Sequence, residues 1–265
     1  MTRYLRLVIG LLLVIVPVAS RAAPWAGLAD GLDLGVFETD QGPLTVLRID
    51  PARWQTVALA ASALDGRSRT AAEWGQEHGL TAVINAGMYG ADLLVHTGYF
   101  RTGEHVNNGI WNQRDYRQVA CFEPREPGLP LFVLQDLDTV AESSFAHRYD
   151  VVVQNLRLIK KPGENRWSPQ ARRWSEACLG EDADGRMLWI FSRTARSMHD
   201  LNRALLDLPL GLVAAQHLEG GPEAQLWVAP AHLDMIGSDE TGSVEHDLNR
   251  TAWRVPNVLG IRPRD

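Results

Sequence analysis

The chain has 265 residues, 45% of them hydrophobic and 22% charged, with a formal net charge of −6. This composition excludes collagen-like, coiled-coil and largely disordered chains, and the length suits one large domain or two small ones. The acidic balance argues against a nucleic-acid partner, and only the first stretch is apolar enough to be considered for a membrane.

That first stretch reads as a targeting segment. Arg3 and Arg6 precede an apolar run over 7–19, and Ser20-Arg21-Ala22 puts small residues where a signal peptidase reads. The run is short for a membrane-spanning helix. The expectation is a signal peptide over 1–22 and a mature domain over 23–265. The protein would then be periplasmic or secreted, with no stable membrane insertion after cleavage. Cys121 and Cys178 are the only cysteines. Export permits a disulfide between them, but their apolar surroundings favour two buried thiols.

Downstream, short apolar runs alternate with turn signals. Strands are predicted at 44–49 and 55–60, joined by a turn at Asp50-Pro51. A helix is predicted over 70–78, with Thr70 as N-cap and Gly79 as its stop. A strand at 81–85 leads into the bend Ala86-Gly87-Met88-Tyr89-Gly90. Further strands are predicted at 118–122, 131–134, 150–154, 176–180, 187–192 and 212–218. Asp182-Ala183-Asp184-Gly185 marks a hairpin turn. A second helix is predicted over 198–206, capped by Ser197. The polar stretch 160–170 is a surface excursion. The pattern predicts a single α+β domain: an extensive, mostly mixed or antiparallel sheet flanked by a few short helices.

Several enzyme classes lose their support at once. The sequence lacks a Gly-x-Ser-x-Gly elbow, a phosphate-loop Lys motif, a His-Glu-x-x-His helix and a dinucleotide fingerprint. Its eight histidines are scattered without metal spacing, so neither a metal nor a cofactor is expected.

Two glycine corners remain. In the first, Asn85-Ala86-Gly87-Met88-Tyr89, a strand delivers an amide side chain into a bend whose backbone can approach a ligand. Asn85 is a candidate hydrogen-bonding group and Tyr89 a candidate stacking ring. The same pattern also fits a strand-end turn in which Asn85 caps its own backbone. The second corner is His217-Leu218-Glu219-Gly220-Gly221-Pro222-Glu223. Here a buried strand ends in an acid, and Pro222 suits a first helical turn whose N–H groups would favour an anion. It also fits a plain turn with acids near a helix start. His217 sits on an apolar strand, as a core histidine does, yet neighbours the acid and is a candidate substrate contact.

In order along the chain, these segments resemble one family. Its first signature resembles Asn85-Ala86-Gly87-Met88-Tyr89. Its next feature is similar to Gly98-Tyr99-Phe100 followed by the hairpin Gly103-Glu104-His105-Val106-Asn107. A strand pair resembles Val152-Val153-Gln154-Asn155-Leu156-Arg157-Leu158-Ile159. The late signature resembles Leu218-Glu219-Gly220-Gly221-Pro222-Glu223-Ala224, and the closing strand Val255-Pro256-Asn257-Val258-Leu259-Gly260. The family is the phosphodiester glycosidases.

The resemblance implies hydrolysis of a sugar-1-phosphodiester, in an envelope or exopolysaccharide glycan. The leaving group is a phosphomonoester, which needs cations and N–H donors more than full protonation. It implies Glu219 as the carboxylate at the sugar carbon, with Glu176 and Glu223 as second acids. Arg173, Arg172 and the amides at Gly220 and Gly221 would receive the phosphate. Asn85, Gly87, Tyr89, Gln154 and His217 would line the substrate site.

Departures from the family pattern concentrate there. Glu219 replaces an Asp, Glu223 replaces a Ser, and Glu176 stands where the family has an Arg. These changes keep two other readings open: a noncatalytic glycan-binding or assembly protein on the same fold, and a phosphodiesterase that cuts P–O. Trp111, Trp167, Trp174 and Trp227 are candidate sugar platforms or packing residues.

Overall fold

The computed structural model describes residues 24–240 and 247–265; the expected signal segment lies outside them. The chain begins with β1 (Trp25–Ala29), β2 (Leu32–Phe37), β3 (Leu44–Ile49) and β4 (Trp54–Ala60), then α1 (Ala71–His78). β5 (Ala82–Asn85), β6 (Phe100–Thr102), β7 (His105–Asn108), β8 (Gln118–Pro124) and β9 (Phe132–Asp136) follow. Next come β10 (Tyr149–Asn155), β11 (Arg157–Lys160), β12 (Glu164–Asn165), β13 (Trp174–Asp182) and β14 (Met187–Arg196). The chain continues with α2 (Met198–Asp207), β15 (Leu212–Gly220), β16 (Gln225–Val228), β17 (Leu233–Ile236) and β18 (Asn257–Pro263).

The strands form three sheets, ordered β1-β2-β3-β14-β13-β15-β11-β12, β7-β6-β10-β8-β9 and β17-β16-β5-β18-β4. The pairing is antiparallel throughout these sheets. The protein is therefore more β-rich than the α+β expectation, and its sheets are not mixed.

Alternation explains how three sheets share one core. β4 alternates buried and half-buried positions along its whole length, as a strand with one wet face must. Inward residues from all three sheets meet in one cluster: Leu47, Leu179 and Trp189 from the first, Phe100, Phe122 and Val153 from the second, Ile84, Leu226 and Leu259 from the third. The two helices cover outer faces. α1 sets Trp74 against Val83 and Val258 of the third sheet. α2 sets Met198, Leu201 and Leu205 against Ile159, Cys178 and Ile190 of the first.

Both helices start where their caps dictate. Thr70 accepts from the Glu73 amide at 3.2 Å while the Glu73 carboxylate accepts from the Thr70 amide at 2.8 Å, a reciprocal capping box. Gly79 ends α1 in the left-handed conformation. Ser197 accepts from the Asp200 amide at 3.1 Å and opens α2. The β13–β14 hairpin closes on Asp182, whose carboxylate accepts from the amides of Asp184 and Arg186.

Two expectations need correction. Residues 152–159 do form two strands, but β10 and β11 belong to different sheets and do not pair with each other. Pro222 starts no α-helix: Gly221–Glu223 is a single 3-10 turn that leads straight into β16. The anion site expected at a helix N-terminus there is absent. The polar stretch 160–170 holds the short β12, which extends the first sheet. Cys121 and Cys178 are unbonded buried thiols in separate clusters.

Candidate functional site

The two glycine corners meet. β5 and β16 are neighbours in the third sheet, so Asn85 at the end of β5 lies beside the turn after β15. Its Nδ2 donates to the Glu223 carbonyl at 2.9 Å, and its Oδ1 accepts from the Gln225 amide at 2.7 Å. Asn85 is 1% exposed, and each end of its amide is engaged by the other corner. It clamps one corner to the other instead of facing a ligand. Ser175 ties the turn from the opposite side: its Oγ donates to the Gly221 carbonyl at 2.8 Å and accepts from the Ser238 amide at 3.0 Å. A side chain at Gly237 would sit 1.9 Å from the Gly221 carbonyl oxygen, so only glycine permits that approach.

Above this junction opens a cleft of about 370 Å³. Met88, Leu156, Met198 and Pro222 give it apolar walls, and Trp174, His217, Glu219 and Glu223 give it chemistry. A β-bulge brings two polar side chains to the same wall. Cys178 pairs with His217 while Ala177 pairs with Glu219, so β15 carries one extra residue, Leu218. Leu218 turns into the shared core, and His217 and Glu219 both line the cleft.

Behind this wall lies a hydrogen-bonded relay. His217 Nδ1 donates to Glu176 Oε1 at 2.5 Å, and Trp174 Nε1 donates to Glu176 Oε2 at 2.9 Å. Glu176 is 1% exposed and His217 3%. Burial alone would strip the imidazole of its proton, but the adjacent Glu176 carboxylate outweighs it and raises the His217 pKa, while burial raises that of Glu176 against the opposing pull of His217. Among the described residues Glu219 has one hydrogen-bond donor, the Gly220 amide at 3.0 Å. Burial raises its pKa to about 8, the charges of Glu223 and Glu176 add to the rise, and His217 opposes it. Glu223 is also raised by burial, though it is half-exposed. Of two neighbouring carboxyls, Glu219 is the more deeply buried and is held protonated at neutral pH, while Glu223 lies in wetter surroundings.

The remaining candidates fall at different distances from this centre. Tyr89 is half-buried and packs against the Trp74 cluster under α1; it does not line the cleft, although the charges of Glu223 and Glu219 add to the burial that raises its phenol pKa. Gly87 adopts φ +139°, and a side chain there would strike His96 and Asn155. It is a packing requirement, not a ligand contact. Gln154 is fully buried. Its Oε1 accepts from the amides of Tyr99 and Asn112, and its Nε2 donates to the carbonyls of Asn112 and Tyr116. The expected substrate contact is therefore a loop organiser. Arg172 and Arg173 are exposed on the approach to β13, with no ion pair among the described residues, and do not line the cleft. Gly220 and Gly221 do line it.

Sequence reasoning missed the cleft's apolar walls and Tyr116. The Tyr116 hydroxyl lies 2.7 Å from the Thr97 hydroxyl, and the Glu219 charge is among the influences raising its pKa, after burial. No sequence signal marked it. Of the four tryptophans, Trp174 alone borders the cleft; Trp227 packs on Gly75, and Trp167 donates to the Arg157 carbonyl. No group of three His, Cys, Asp or Glu side chains is placed to hold a metal ion among the described residues.

A solved zebrafish structure shares the fold, the catalytic domain of N-acetylglucosamine-1-phosphodiester alpha-N-acetylglucosaminidase auto-inhibited by pro-peptide. The TM-score is 0.63 at 11% identity, over 92% of this chain and 87% of that one. A hypothetical protein from Synechocystis also gives a TM-score of 0.63, at 14% identity, over 93% of this chain and 64% of its own length. No curated protein sequence matches the chain significantly. The sequence profile of the phosphodiester glycosidases matches residues 78–262, the span that carries both corners and the cleft between them. The chain belongs to the phosphodiester glycosidase family.

Proposed function

We propose that the Glu219 cleft hydrolyses a sugar-1-phosphodiester of an envelope or exopolysaccharide glycan, breaking the bond between the anomeric carbon and the bridging oxygen. The observation that carries this reading is the pairing of a buried, protonated carboxyl with a Glu176-held imidazole on one wall. The basic then apolar N-terminal stretch supports export.

The substrate carries one negative charge, which an ionised Glu219 would repel. With its proton in place, Glu219 admits the ester and donates to the bridging oxygen. The C–O bond breaks as its electron pair moves onto that oxygen. The His217 imidazolium faces the phosphate and takes up the charge that grows there. Glu223 accepts a proton from the water that adds to the anomeric carbon. The products are a free sugar and a phosphomonoester.

The test is release of reducing sugar from a panel of sugar-1-phosphodiesters, N-acetylglucosamine esters among them, followed as a function of pH. Because the active form of Glu219 is protonated, kcat/KM is expected to fall as pH rises through about 8, approaching tenfold per pH unit. Stability follows the same proton. The folded-state pKa lies above the ordinary carboxylate value, so the group's contribution is complete below that ordinary value and is lost as pH rises through about 8. Activity that holds steady above pH 9 would exclude Glu219 as the acid.

A further inference from the structure

We propose that a second crevice, bordered by Tyr99, Arg101 and Trp111, is a glycan subsite that holds a further phosphate-bearing sugar of a polymeric substrate. The word substrate rests on the hydrolase reading above; the binding itself does not.

The crevice encloses about 430 Å³ on the outer face of the second sheet. Arg101 is 8% exposed. Its Nη2 donates to the carbonyls of Ala146 and Tyr149. Its Nε and Nη1 have no hydrogen-bond partner, and no carboxylate lies within ion-pair distance, among the described residues. A buried guanidinium without a counter-charge is costly; with both Nη2 hydrogens taken by carbonyls neither two-nitrogen fork is free, and a remaining Nη1 or Nε hydrogen gives a single charge-assisted bond to a phosphate oxygen. The single acid at the crevice, Glu142, lies beyond ion-pair distance. Beside Arg101, the rings of Tyr99 and Trp111 stack at 4.2 Å and 5°. Both are half-buried; stacked face to face, they cover each other's inner faces, and the apolar shelf left for a sugar is the outer face of the stack. Guanidinium and shelf together match a sugar phosphate better than a neutral glycan or an apolar ligand.

This crevice is tied to the Glu219 cleft through Gln154. One buried amide holds the backbone of Tyr99 and Asn112, neighbours of the crevice, and the carbonyl of Tyr116, whose phenol is near enough to Glu219 to feel its charge. Two such sites on one pinned segment suit a ligand with repeated charged units, where the second contact adds affinity by effective concentration.

The experiment uses the mature chain carrying Glu219→Gln, so that turnover is slow against the measurement, and calorimetry with two probes. One is the methyl phosphodiester of N-acetylglucosamine 1-phosphate; the other is a phosphodiester-linked tetramer of the same unit. The tetramer is expected to bind at least about tenfold tighter. Trp111→Ala and Ser143→Asp, the latter an exposed position where a new charge leaves packing alone, should each remove most of that gain, with the loss confined to the tetramer. Equal binding of the two probes overturns the proposal, and so does a length gain that survives both substitutions. Failure of the hydrolase reading shows separately, as absent turnover by the unsubstituted chain, and leaves the length dependence standing.

Discussion

Replacing Glu219 with Gln is expected to lower hydrolysis about 10³-fold while the protein stays folded. The substitution keeps the shape of the side chain and an oxygen to accept from the Gly220 amide. It removes only the transferable proton. Because the folded protein holds Glu219 protonated up to about pH 8, an amide there replaces a neutral group with a neutral group. The fold should therefore tolerate it, and above pH 8 the variant should be the more stable protein, since it never buries a charge. Thermal denaturation at pH 6 and pH 9 beside the reducing-sugar assay reads both effects. An active Gln variant, or one that melts far below the parent at pH 6, would refute the assignment.

Replacing His217 with Gln is expected to cost about 10²-fold in kcat/KM, and replacing Glu176 with Gln should act through the same ring. In the Glu176 variant the imidazole loses the carboxylate that keeps it charged, and burial then dominates. Its activity should survive best at low pH, so the profile moves toward acid. The double variant should cost little more than His217→Gln alone, because both changes remove one cation. A purely structural role for Glu176 would lower stability without moving the pH profile, and additive losses would show that the two residues act independently.

This pair also changes the meaning of the family departures. Read along the chain, an Arg replaced by Glu176 looks like a lost phosphate ligand. In the folded protein Glu176 holds His217 from the neighbouring strand, and in the proposed mechanism His217 supplies the cation one strand away. Residue order cannot reveal this, because 41 positions separate the partners.

Elsewhere, legibility followed how local the physics was. Caps depend on residues within one turn, so both helices and their starts at Thr70 and Ser197 were readable. The β13–β14 hairpin was readable for the same reason, through Asp182 and Gly185. Partners that lie far off in sequence were not. Gln154 and Asn85 carry amides that sequence reasoning assigns to a ligand, yet both are satisfied by backbone brought in from distant segments. Pro222 signalled a helix, but Gln225 to Val228 are drawn out as a strand between β5 and β17. Tertiary pairing overrode the local preference.

The most direct test of the account is the position of bond cleavage. Hydrolysis of a sugar-1-phosphodiester in oxygen-18 water should place the label on the anomeric hydroxyl of the released sugar, with none in the phosphomonoester. Label in the phosphate would mean attack at phosphorus, and would contradict the assignment of the Glu219 cleft to the sugar carbon.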